Sequence, residues 1–443
     1  MHVPKKVRRM LAFTVLATVP TLSCAWADDS LLTLSKAEQL ATMHNQALAA
    51  STKNAEAMAA IPPQVGTLPD PMLSLNALNI PLNSFSASQE GMTLMQVGIS
   101  QALPFPGKLR LREQAAGFEA SAAAHHTEEL NLVVVRNVRL IWWNLFFLDR
   151  AISIVQRNQV LLRQFVKIAE TKYKTGLGLQ SDVLLAQVEL SKLLDVEISL
   201  LSSRRSQAAD INALLDRPAV TVVTLPALTD EFLSPIPAAE PLHQLALDAR
   251  PVLFAKRSKL DAAHTRVDLA EKDYYPDFKL GAAYGLRAGS NANGSARADM
   301  SSIMLSMSLP IYTSSKQDRA VEQRQAEVAR QEFSLQDMVA AVDAEIEKAL
   351  ADYRAGHDQA LLFKTGIIPQ ASLTVSSMLA AYQVNKVDFL NLVRAQITLY
   401  NYETQYWKAL SAARQSWARL DAAVGKPVPW MKPETTNKEM MHE

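Results

Sequence analysis

The sequence predicts a mostly α-helical fold with a small β part, built from one unit that is used twice. Three observations predict it. From Lys108 to Thr175 there is one glycine, Gly117, and no proline, so a continuous helix would run about 100 Å at 1.5 Å per residue. Four short segments alternate apolar with small or polar residues at the period of two that marks a half-exposed strand. Finally, YKTGLGLQSDVLLAQVEL from Tyr173 returns as YQVNKVDFLNLVRAQITL from Tyr382. At a constant offset of 209, Tyr173 matches Tyr382, Ala186-Gln187 matches Ala395-Gln396, Leu190 matches Leu399, and Arg217-Pro218 falls on Lys426-Pro427. Offsets of 206 to 207 carry Pro69-Asp70 onto Pro276-Asp277 and Leu103-Pro104 onto Leu309-Pro310. Self-similarity in a fixed order marks a repeated structural unit.

The elements follow in order. Residues 1–27 read as a signal peptide: Lys5, Lys6, Arg8 and Arg9 precede the apolar run Met10–Val19, and Ala25-Trp26-Ala27 offers the small-x-small cleavage pattern. Cys24, the only cysteine, is also where a lipoprotein would be acylated; Thr21 and bulky Leu22 stand where that signal prefers other residues, so ordinary cleavage is favoured. A mature chain without cysteine has no disulfide to rely on in an oxidising compartment. Residues 28–235 form the first repeat, 236–430 the second, and 431–443 a tail. Each repeat should open with a helix, Ser35 to about Ala60 and Pro241 to about Lys272. Strands follow at Met72–Asn79 and Thr93–Leu103, then at Phe278–Leu286 and Ser302–Leu309.

In these strands Met95, Val97, Ile99 and Leu103 oppose Gln96, Gly98 and Ser100, while Ile303, Leu305, Met307 and Leu309 oppose Ser302, Ser306 and Ser308. One face is apolar and the other small or polar, which fits either soluble hairpins on a core or strands between lipid and water. The connecting segments NIPLNSFSASQEGM and GLRAGSNANGSARADM are rich in turn formers. The long helices come next. Leu190, Leu194, Ile198, Leu201, Ala208, Ile211 and Leu215 make a stripe on the return helix Ser181–Asp216. Leu193 and Leu200 lie off it, as a helix packed between two neighbours requires. Leu335, Val339, Val342, Ile346, Ala349 and Tyr353 alternate steps of four and three, the coiled-coil period. Pro369 should kink or break that helix.

Several function classes are excluded. A net charge of +1 with mixed signs leaves no nucleic-acid footprint. The apolar stretch Leu130–Leu148 carries Arg136 and Arg139, each costing about 2.5–3.5 kcal/mol at the centre of a membrane helix, so it reads as bundle core. Only a closed β-barrel then remains as a way through a membrane. There is no HExxH pair, Walker loop or GxSxG elbow, and no catalytic residue, cofactor or metal ligand is expected. Met92, Met95, Met300, Met304 and Met307 offer soft thioether ligands, but apolar packing is the favoured reading. Trp142, Trp143, Phe146 and Phe147 likewise read as core.

The two-copy layout, PDPMLSL and PFPGK around the first strand pair, and the paired hairpin motifs resemble the TolC family of outer-membrane efflux channels, most closely its heavy-metal cation efflux branch. The resemblance covers about Leu31 to Trp430. It implies a homotrimer in the outer membrane of a Gram-negative bacterium. Each chain would give four strands to a twelve-stranded β-barrel in lipid and its long helical hairpins to a periplasmic α-barrel, since four strands alone enclose no channel. Leu103-Pro104-Phe105-Pro106-Gly107 would be the junction where strand becomes helix. The implied role is a passive exit duct working with a periplasmic adaptor (membrane fusion) protein and an inner-membrane RND transporter. Alternatives are the same channel serving drug efflux or type I protein secretion, or a soluble periplasmic helical scaffold.

The resemblance also places two hairpin turns at the periplasmic end. Adaptor contact is implied for Gly176, Leu177, Gly178 and Asp182 and for Asn385 and Val387, although glycine in a tight reversal is equally plain turn chemistry. Some family members close the channel with an aspartate ring after the second turn; Asn391 and Arg394 stand at those positions and depart from that pattern. Asp388, with Lys386 and Arg394 of a neighbouring chain, is the candidate gate, the alternative being solvated polar residues.

Overall fold

The structure, a computed structural model, describes residues 31–227 and 231–429. The expected signal peptide with Cys24 and the expected tail 431–443 lie outside the described residues. Ten α-helices and four strands are described, in an order that recurs in the two halves of the chain.

Each opening helix, expected to be single, is broken, and at corresponding places. In the first half α1 (Leu34–His44) ends before α2 (Gln46–Ala59) and α3 (Ile61–Gly66). The break is Asn45, whose ψ of 118° is extended. Its side chain accepts from Leu48 N–H at 3.1 Å and donates to the Leu214 carbonyl at 3.2 Å. Asparagine competes with the helical backbone in this way, and so it starts a new helix rather than continuing one. In the second half α6 (Ala239–Ala249) and α7 (Pro251–Glu271) part at Arg250, ψ 114°. Pro251 has no N–H to give and forces the preceding residue out of the helical region.

The long helices are α4 (Lys108–Lys174) with its return α5 (Gln180–Leu214), and α8 (Gln317–Leu362) continuing as α9 (Ile368–Gln383) with its return α10 (Phe389–Val424). Residues 363–367 between α8 and α9 form one π-helical turn. Pro369 lies two residues beyond it, so the expected interruption takes the form of a widened turn that carries the missing donor. Val342, Ile346, Ala349 and Tyr353 are buried as the heptad pattern requires. The stripe expected on α5 is corrected: Leu194, Ile198 and Leu201 are exposed, while off-stripe Leu193 is buried. Within one chain α5 packs chiefly on α4, so only one of its apolar faces is covered.

Two cores hold the helices. The larger gathers Trp142, Trp143, Leu145 and Phe146 of α4 with Ile346 and Tyr353 of α8 and Leu410 and Trp417 of α10. Trp142 donates its indole N–H to the Leu32 carbonyl at 2.9 Å, which removes the polar penalty of burying it. Arg139, inside the stretch that looked long enough to span a membrane, is paired with Glu38 and Asp421. No described helix is long and apolar enough to cross a bilayer. The smaller core, nearer the hairpin turns, centres on Phe165, Tyr382, Phe389 and Leu392.

Strands β1 (Met72–Leu78), β2 (Leu94–Leu103), β3 (Phe278–Leu286) and β4 (Met300–Met307) form one antiparallel sheet in sequence order. The expected Ser302–Leu309 is shifted. The Ser308 N–H donates to the Asp277 carbonyl and its Oγ accepts from Asp277 N–H, both at 2.9 Å, so Ser308 leaves the ladder. Asn79, expected at the end of β1, has φ 54° and turns the chain instead. The register sorts the faces into rows. Leu73–Ile99–Ala282–Ile303 and Leu75–Val97–Tyr284–Ser301 lie on one face; Ser74–Gly98–Ala283–Ser302 and Asn76–Gln96–Gly285–Met300 lie on the other. Leu73, Ile99 and Ile303 are 69%, 56% and 85% exposed, so no core covers the apolar face.

The sheet meets the helices at PFPGK. Gly107 has φ 94°, a conformation that glycine adopts without strain, and it turns the chain from β2 into α4. Lys108, almost wholly buried, bonds Asp273 at 2.9 Å and Asp277 at 3.0 Å. Asp277 also accepts from Phe105 N–H at 2.8 Å, and Phe105 stacks on Tyr275 at 4.5 Å. One lysine thereby ties the strand–helix junction of the first half to the helix–strand junction of the second.

Candidate functional site at the helical tips

About 100 Å of helix separates Lys108 from the far end of α4. There the α4–α5 and α9–α10 turns lie side by side, and they share one hydrogen-bond skeleton. Leu177 N–H donates to Lys172 O at 2.8 Å and Gly176 N–H to Tyr173 O at 3.0 Å; 209 residues later, Lys386 N–H donates to Ala381 O at 2.9 Å and Asn385 N–H to Tyr382 O at 3.2 Å. Both are helix-ending motifs that need a left-handed residue, supplied by Gly176 (φ 73°) and Asn385 (φ 57°). Gly178 is required for space: a Cβ there would sit 2.9 Å from the Lys172 Cβ.

Leu177 and Leu179 are exposed on the first tip and Val384 on the second. Val387 is half-buried, and so is Asp182 in the first turn of α5. Asp388 occupies the N-cap position of α10 without a side-chain capping hydrogen bond, and Asn391 and Arg394 follow at steps of three, so that all three share one exposed face, opposite buried Leu392 and Val393. Lys386 is exposed in the turn itself. Among the described residues, Lys386, Asp388 and Arg394 make no ion pair within the chain.

A residue not singled out in the sequence joins the two tips. Lys172, on the last turn of α4, donates to the Tyr382 carbonyl and to Asn385 Oδ1, and its ammonium lies 4.1 Å from the centre of the Tyr382 ring. Such cation–π contacts contribute about 0.5–1 kcal/mol at exposed sites and more when desolvated. Tyr382 is buried against Phe389, with ring centres 5.2 Å apart. Burial, with the nearby Asp182 charge, pushes the Tyr382 hydroxyl above its ordinary pKa. The signal available in the sequence was a difference between copies: the position 209 residues after Lys172 is Ala381.

Above the tips, buried Gln396 donates to Asn158 Oδ1 at 2.7 Å, and Asn158 donates in turn to the Ile154 carbonyl at 2.9 Å. This pair fixes the register of α10 on α4. Among the described residues no three His, Cys, Asp or Glu side chains are grouped to hold a metal ion. Trp142, Trp143 and Phe146 pack against one another at 4.9 to 6.0 Å and against Trp407, as core.

Residues 242–426 match the family described as outer membrane efflux protein. The chain is matched over less than half of its length. It is 23% identical over 190 residues to the cobalt-zinc-cadmium resistance protein CzcC of Cupriavidus metallidurans, a match covering 43% of each chain. It is also 28% identical over 218 residues to protein CyaE of Bordetella pertussis, covering 46% of this chain and 44% of that one. The matched region therefore spans less than half the length of these curated relatives. The outer membrane protein VceC of Vibrio cholerae has the same fold, with a TM-score of 0.74 at 18% identity over 89% of this chain and 96% of its own.

Proposed function

We propose that this chain is the outer-membrane channel of a tripartite efflux system, a passive exit duct for heavy-metal cations delivered by an inner-membrane RND pump through a periplasmic adaptor. The observation that carries this reading is the sheet. An apolar face with nothing covering it, a small and polar opposite face, and unpaired edges at β1 and β4 are unstable in water for one chain alone. Three copies joined edge to edge would close a barrel, place the apolar rows in lipid and leave a polar lumen. The same trimer would cover the exposed apolar face of α5 and bring the tips together around the axis. Cations as cargo rest on the similarity to a relative named for cobalt, zinc and cadmium resistance.

In this reading the tips are the closed end. Asp388, Asn391 and Arg394 face a neighbour or the axis, and Lys386 and Asp388 are free to pair between chains. Exposed pairs contribute about 0–1 kcal/mol each, so adaptor docking on Leu177, Leu179 and Val387 has enough free energy to open them. The test is planar-bilayer conductance of the detergent-purified protein beside an Asp388→Ala, Arg394→Ala double variant. Low conductance that rises in the variant is the expected result. A protein that extracts without detergent as a monomer and forms no channels overturns the assignment.

A further inference from the structure

The two halves of the chain fasten their first helix to the long helix behind it with opposite chemistry. In the first half Glu38 of α1 accepts from Arg139 of α4 at 2.6 Å, and the arginine is held from its other side by Asp421. The place of Glu38 in the second half, 205 residues on as Arg250 is from Asn45, is taken by His243 of α6. Its partners are acidic: Nδ1 lies 2.9 Å from Asp343 Oδ1 and Nε2 3.0 Å from Glu347 Oε1, one helical turn apart on α8. A neutral imidazole has one N–H, so it can donate to only one of these carboxylates and must turn a lone pair towards the other; an imidazolium donates to both.

The other charges around this site are engaged elsewhere or distant. On α8, Glu345 bonds Arg250, and Lys348 and Asp352 line a separate cavity with Arg136 and Arg419. On α10, which also packs against α6, Arg414 donates to the Phe232 carbonyl and Arg419 reaches Ser416, while Asp421 is taken by Arg139. From α7, Arg257 donates to the Leu247 carbonyl, and α6 itself adds only Glu240 and Asp248. The immediate field on His243 is that of two carboxylates.

We infer that α6 is docked on α8 by a protonated His243, which makes the seating of the second repeat's first helix sensitive to pH where that of the first repeat, held by an arginine, is not. Hydrogen bonds to Glu347 and Asp343 hold the imidazole above its ordinary pKa of about 6.5, outweighing burial. The sign follows from linkage: docking is fully supported below the free value and weakens as pH rises through the raised one. It weakens about tenfold for each pH unit by which docking raises the proton affinity. Buried Leu242 and Ala246 remain on the core side of α6, so the helix loosens rather than leaves. This inference stands whether or not the channel reading is correct.

The test is amide exchange of α6, corrected for intrinsic rate, in the full-length protein at pH 6 and pH 8.5, with α1 as internal reference. The wild type should lose protection in α6 at pH 8.5 relative to pH 6, while α1 stays unchanged. His243→Arg should stay protected at both pH values, and His243→Gln should exchange at the faster rate at both. Equal protection of wild-type α6 at the two pH values, or the same pH dependence in His243→Arg, overturns the inference.

Discussion

At the residue scale the most informative side chain is Lys108, because it couples the two repeats through a single charge. Burial alone would lower its pKa, but the hydrogen bonds and charges of Asp273 and Asp277 more than offset this and hold it above the ordinary lysine value. Burial would likewise raise the pKa of Asp277, yet Phe105 N–H and the Lys108 ammonium hold it below the usual carboxylate range. The lysine contribution is therefore present throughout the neutral range. That of Asp277 is present above the unfolded value and is lost as pH falls through the lowered one. Lys108→Met keeps the volume and removes the charge, and because both carboxylates are about half-exposed the expected loss is about 1–2 kcal/mol at pH 7. Denaturant melts of the two proteins should show that gap narrowing below about pH 4. PFPGK was legible in the sequence as a junction, since proline ends a ladder and glycine permits the turn. Its acidic partners lie about 165 residues away and were not, because no local pattern links them. Lys172 was missed for the same reason: only the packing of α4 beside the second turn gives a surface lysine two acceptors and an aromatic ring.

At the element scale, long helices were predictable from the absence of breakers, while their breaks were set by single side chains. Asn45 and the Arg250-Pro251 pair interrupt apolar periodicities that would otherwise run on, and periodicity alone cannot register a cap. Packing also decides what a glycine does. Gly356 of α8 faces α10, where a Cβ would meet Ala413 N at 3.0 Å and Ala409 O at 3.1 Å, so the two backbones cross closely. Gly117 of α4 has open space around it. Gly356→Val should therefore destabilise by about 1–3 kcal/mol through overpacking. Gly117→Ala should stabilise by about 0.5–1 kcal/mol through helix propensity. Thermal melts of both variants would check the pair, and two changes of the same sign would contradict the assigned crossing. The stripe on α5 failed at Leu194, Ile198 and Leu201 because one chain covers only one side of that helix.

At the scale of the whole molecule, the sheet and the tips are joined by the single continuous helix α4 rather than by loops. If the apolar rows face lipid, Ile303→Arg should cost about 2–4 kcal/mol near the bilayer midplane. Ser302→Arg, one residue away on the opposite face, should fold normally and change ion selectivity. The yield of folded barrel in detergent and the reversal potential of single channels separate the two outcomes.

The sequence by itself determined the helical class, the duplicated unit, the strand pairs and their faces, and the position of both turns. These depend on period, breaker residues and spacing, which are local or repeat at fixed intervals. Only the tertiary structure decided which distant residues meet: Lys108 with Asp277, Lys172 with Asn385 and Gln396 with Asn158 across the two copies, and His243 with Asp343 and Glu347 within the second. Such contacts depend on how helices cross and on which side chain a neighbouring backbone leaves room for, and one-dimensional order carries no record of that.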